Sequence, residues 1–118
     1  MGNNIDHPSH YGSRHVGYEC ISLAGAQSFC IGNLIKYLWR YPYKAHPSDD
    51  LKKARWYARL AASRHELTYT ADTCGIILRK LARSSDGLER VAWNGIHTSD
   101  WHTVIETLDR MIKEKTTC

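Results

Sequence analysis

Between residues 28 and 41 the apolar positions recur as Ile31, Leu34, Ile35 and Leu38. That i, i+3, i+4, i+7 spacing places them on one face and predicts a core-facing helix. Pro42 ends it, because a proline inside a helix removes a hydrogen bond and clashes with the preceding turn. The best period in the chain is Trp101, Val104, Ile105, Leu108, Met111 and Ile112, which predicts a final helix opening at Ser99 or Asp100. Between these two, a helix is expected from an N-cap at Ser48 to about Glu66, with Asp49 and Asp50 suited to the positive end of its dipole. Its face of Leu51, Ala54, Ala58, Ala61 and Ala62 is small enough for close packing. A fourth helix is expected over 71–83 with Ile76, Ile77 and Leu81 buried.

The rest is weaker. A short helix fits 16–27, although Gly17 and Gly25 lower its propensity. Residues 88–97 are ambiguous, and Arg90-Val91-Ala92-Trp93 reads as a short strand or a helical turn. Residues 1–14 are polar, with Gly2, Pro8 and Gly12, and read as an extended arm. The expected architecture is all-α: one compact domain over 1–118, of about five helices with an extended N-terminal arm.

Composition changes this picture little. The chain has 118 residues, 42% hydrophobic and 24% charged, which suits one globular domain and argues against wholesale disorder. The net charge of +4 fits an anionic partner but is too small to demand a nucleic acid. Cys20, Cys30, Cys74 and Cys118 form no CxxC pair, and no signal peptide or membrane-length apolar run is read. Free thiols and a cytoplasmic setting are expected.

The polar face of the 28–41 helix changes more. Asn33, Lys36, Tyr37 and Arg40 stand at i, i+3, i+4, i+7 and form one stripe. Two cations one turn apart repel mildly, whereas an anion between them reverses the sign of the interaction. The next helix offers Lys52, Lys53, Arg55, Trp56 and Tyr57, of which Lys53, Trp56 and Tyr57 share a face. Aromatic rings beside cations suit a stacked base with a held phosphate. The ordinary alternative is a solvated basic face with Trp56 and Tyr57 in or near the core.

These residues carry a resemblance. The run HPSHY…GYECI…FCIGNLIKYLWR…K…DDLKKARWY is similar to a small phage-borne family long catalogued as domain of unknown function 3310, over about residues 7–60. Residues 1–66 are then the family-like half and 67–118 are unmatched. The family includes a nucleotide kinase of short-tailed coliphages that lacks the usual phosphate-binding loop and is oligomeric. This chain also has no GxxxxGK[ST], and its Gly32 lies inside a predicted helix. The resemblance implies a pocket gathering His7, His10, Tyr11, Glu19, Asn33, Lys36, Tyr37, Arg40, Lys44, Asp50, Lys53 and Trp56.

On that reading the protein binds a nucleotide or another phosphate-bearing small molecule in the host cytoplasm, as a homo-oligomer with no membrane role. Lys36, Arg40, Lys44 and Lys53 hold phosphate, with His7, His10, Tyr11, Asn33, Tyr37 and Trp56 completing the substrate site. For a kinase, which would use ATP and Mg2+, Glu19, Lys36 and Arg40 are the catalytic candidates. Glu19 is read three ways: general base, Mg2+ ligand, or ion-pair partner of Lys36 or Arg40. His7 and His10 are read as anion or base contacts, as metal ligands short of partners, or as surface histidines; no metal site is assigned. The alternatives to a kinase are non-catalytic capture of a host or defence-signalling nucleotide, and a nucleic-acid-binding or interaction module.

Overall fold

The computed structural model describes residues 14–116. His7, His10 and Tyr11 of the expected site, residues 1–13 of the expected arm, and Cys118 lie outside these residues. The described residues form six α-helices and no strand: α1 (Cys20–Ala24), α2 (Phe29–Arg40), α3 (Pro47–Ser63), α4 (Cys74–Arg83), α5 (Gly87–His97) and α6 (Trp101–Thr116). No helix among them is long and apolar enough to cross a membrane.

Helix α2 buries Cys30, Ile31, Leu34, Ile35, Leu38 and Trp39, the face its period specifies. Ser28 caps it: its Oγ accepts from the Ile31 N–H at 3.1 Å and donates to Glu66 Oε1 at 2.6 Å. Helix α3 lies between α2 and α6 and packs extensively on both. Ala54, Ala58 and Ala61 on α3 are fully buried, and their small side chains permit that double packing. An ion pair from Arg55 to Asp109 joins α3 to α6. Gly32 lets α1 sit on α2, since a Cβ there would lie 2.8 Å from the Ala24 carbonyl oxygen. One cluster of buried side chains runs from Val16 to Ile112.

Several boundaries differ from expectation. Residues 88–97 are neither strand nor isolated turn but part of α5, which buries Ala92, Trp93 and Ile96. Its apolar face closes against α4 and α6. The first helix shrinks to Cys20–Ala24; at its start Gly17, with φ of 85°, lies in a turn that follows Arg14 and His15 at φ of 50° and 65°. Pro47 rather than Ser48 opens α3, with His46 in the capping position; proline at N1 forfeits no helical bond. Helix α4 starts at Cys74, after Asp72 at φ 55°. Ile76 is exposed, because the buried face of α4 is Cys74, Ile77, Leu78 and Leu81 and Ile76 points about 100° away from Ile77.

Candidate functional site

The polar stripe of α2 meets α3 around one ring. Lys36 Nζ, Lys53 Nζ and Arg40 Cζ lie 4.5, 5.4 and 5.8 Å from the centre of the Tyr37 ring. Each contact of a cation with a ring face returns about 0.5–1 kcal/mol at an exposed site. That offsets a repulsion of a few tenths of a kcal/mol between neighbouring cations on a helix. The ring thus makes the crowding tolerable without removing its positive field.

Tyr37 also stacks on Tyr57 of α3, with centroids 6.0 Å apart and planes 12° from parallel. Phe29 and Trp56 meet Tyr57 edge-on at 5.8 and 5.1 Å. Phe29 is 73% exposed and Trp56 59%, so both present ring surface to solvent. Trp56 is therefore not the core residue that its type favours. Phe29 begins the same stripe four residues before Asn33, a spacing visible in the sequence.

Beside this cluster, α2, the turn Tyr41–Tyr43 and the start of α3 enclose a cleft of about 350 Å³. Arg40, Tyr43, Lys44, Asp49, Asp50 and Lys53 line it. Asp50 is 4% exposed, and its Oδ2 has no hydrogen-bond partner among the described residues. Asp49, its neighbour in the first turn, is exposed.

The remaining expected residues fall at varied places. Asn33 donates its amide to the Phe29 carbonyl at 2.9 Å and is tied to its own helix. Glu19 is half-buried just before α1, where its side chain makes no cap. Cys20 next to it lies near the stripe: burial pushes its thiol up to about 11, against the opposing pull of Lys36, Arg40 and Arg14. Arg55 belongs to the ion pair with Asp109 rather than to the cluster. The structure thus brings together Lys36, Tyr37, Arg40, Lys44, Asp50, Lys53 and Trp56 of the expected set.

A larger cavity of about 660 Å³ shares Tyr43 with the basic cleft and is lined by Arg14, Tyr41, Ser85 and Glu89 among others. Its central groups satisfy one another. Glu89 accepts from Arg14 at 2.6 Å, from the Tyr41 hydroxyl at 2.7 Å and from Trp93 Nε1 at 3.0 Å. Burial alone would raise the Glu89 carboxyl; the Arg14 charge and the Tyr41 and Trp93 hydrogen bonds hold it below its ordinary value. Burial and the Glu89 charge push the Tyr41 phenol up. Size therefore does not identify the site; unsatisfied chemistry favours the smaller cleft.

No curated protein and no solved structure matches this chain. Residues 5–59, which build α1, α2 and most of α3 and so the whole basic cleft, match the family model described as "Protein of unknown function (DUF3310)".

Proposed function

We propose that this protein binds a nucleotide at the junction of α2 and α3. Lys36, Arg40, Lys44 and Lys53 hold the phosphate, and a base stacks on the exposed rings of Phe29 and Trp56. The observation that carries this reading is the convergence of three cations on the Tyr37 ring next to those exposed aromatics. A guanidinium offers a fork of donors and an ammonium a mobile point charge, a pair suited to phosphate oxygens. Stacking of one base on an aromatic side chain contributes about 1–3 kcal/mol.

The donor set favours holding the nucleotide over transferring its phosphoryl group. Kinases hold Mg2+ with carboxylates beside the phosphates. Here Asp49 and Asp50 are the carboxylates lining the cleft, with Arg40, Lys44 and Lys53 around them. That surplus of cations fits phosphate better than it fits a divalent ion, so no step is assigned to Mg2+ or ATP. Phosphorylation of a deoxynucleoside monophosphate is the second reading; it rests on the resemblance of about residues 7–60 to a family that includes a nucleotide kinase, while the family model matched by residues 5–59 carries no assigned function.

Calorimetry on the full chain with a panel of nucleoside monophosphates, and a turnover assay with ATP and Mg2+, separate the readings. Saturable binding without turnover supports capture; turnover restores the kinase. If no nucleotide binds and the chain instead binds DNA or RNA with affinity falling steeply with salt, the domain is a nucleic-acid module.

A further inference from the structure

We infer that Asp50 is the acceptor for a sugar hydroxyl, so that the cleft selects a phosphomonoester bearing such a hydroxyl over phosphate alone. This deepens the nucleotide reading and rests on it.

The carboxylate position needs an explanation beyond the helix dipole. Asp49 and Asp50 occupy the same first turn of α3, and either charge interacts favourably with the helix N-terminus. Asp49 does so while remaining exposed. Asp50 is instead buried, with Oδ2 shielded from solvent and unpartnered among the described residues on the wall of the basic cleft. A buried charged acceptor without a donor is destabilising, and the dipole does not require the burial.

The missing partner is a donor brought by the ligand. A divalent cation would sit against Arg40, Lys44 and Lys53 and be repelled by all three. A neutral hydroxyl meets no such repulsion and makes a charge-assisted hydrogen bond. With phosphate on the cations, the hydroxyl belongs to the sugar joined to that phosphate. A site built to accept from a hydroxyl also discriminates strongly against the analogue lacking it, since the acceptor is then left unpaired.

The test is calorimetry of the full chain with 2′-deoxynucleoside 5′-monophosphates, their 2′,3′-dideoxy counterparts, ribose 5-phosphate and inorganic phosphate, each in EDTA and in Mg2+. The wild type is expected to bind the hydroxyl-bearing nucleotide at least tenfold more tightly than the dideoxy form, in EDTA as in Mg2+. Asp50→Asn should erase most of that difference while leaving inorganic phosphate bound as well or better. Ribose 5-phosphate reports whether sugar and phosphate alone suffice or the base is needed. Equal binding of the two nucleotides by the wild type overturns the inference. So does a preference that survives in Asp50→Asn, or one that exists only in Mg2+ and would make Asp50 a metal ligand. If Asp50→Asn does not fold, Asp50→Ala, which removes the acceptor and suits a helix interior, is read in the same way. Failure of every nucleotide to bind removes the nucleotide reading together with this one, a pattern distinct from equal binding.

Discussion

Two polar clusters sit on either side of Tyr43, and they are built in opposite ways. Around Glu89, a charge is buried and its oxygens accept from Arg14, Tyr41 and Trp93. Around Tyr37 and Asp50, cations crowd one ring, and a buried carboxylate oxygen lacks a donor among the described residues. The first cluster completes its chemistry within the chain and acts as a fastening between residue 14, the Tyr41 turn and α5. The second leaves Asp50 Oδ2 without a donor among the described residues, which is where the proposed ligand would complete it. Volume alone does not separate the two, because it does not distinguish a carboxylate whose oxygens are bonded from one with an oxygen left without a donor.

Breaking the fastening should have the largest effect, and on stability. Glu89→Ala leaves the Arg14 guanidinium nearly buried without its carboxylate, at a cost of about 3 kcal/mol. Thermal unfolding followed by circular dichroism should show Tm lower by roughly 10 °C. A shift of a degree or two would mean that the cluster is surface decoration.

The open cluster should respond in affinity instead. Arg40→Ala should weaken nucleotide binding by ~1–3 kcal/mol in calorimetry. Unchanged affinity with unchanged Tm would remove Arg40 from the site. Trp56→Ala should weaken binding by about 1 kcal/mol through lost stacking, with Tm hardly altered because the ring is already exposed. Loss of stability without loss of affinity would return Trp56 to a packing role.

The smallest expected effect separates the clusters by pH. The Glu89 carboxyl is held below its ordinary value of 4.5, so its contribution to stability is complete above that value. It is lost as the pH falls below 4.5 toward the folded-state value. Tm measured from pH 6 to pH 3 should therefore fall less steeply in Glu89→Gln than in the wild type. Parallel curves would show that the carboxylate carries no linked stability.

The same contrast explains what the sequence made legible. Helices α2 and α6 are periodic enough to be read directly, and the stripe Asn33, Lys36, Tyr37, Arg40 follows from one helix alone. Helix α5 was not legible, because Ala92, Trp93 and Ile96 make a face only when α4 and α6 close over it. Ile76 was misplaced because three adjacent apolar residues, Ile76 to Leu78, cannot all share the buried face. Lys53 meets Tyr37 across a helix pair, a contact that no single-helix pattern encodes. The sequence marks Asp50 as a dipole partner and, through the resemblance, as a pocket residue, and only the packing of the α3 N-terminus reveals its burial. Glu89 gave no signal in the sequence, since its partners come from residues 14, 41 and 93.

The most direct test is a titration of the isotope-labelled full chain with a nucleoside monophosphate, followed by amide and side-chain NMR shifts. Saturable shifts should be concentrated at Lys36, Tyr37, Arg40, Lys44, Asp50, Lys53 and the Trp56 indole, with the Trp93 indole unmoved. Shifts centred on Glu89 and Trp93, or none at nucleotide concentrations up to the millimolar range, would contradict binding at the junction of α2 and α3.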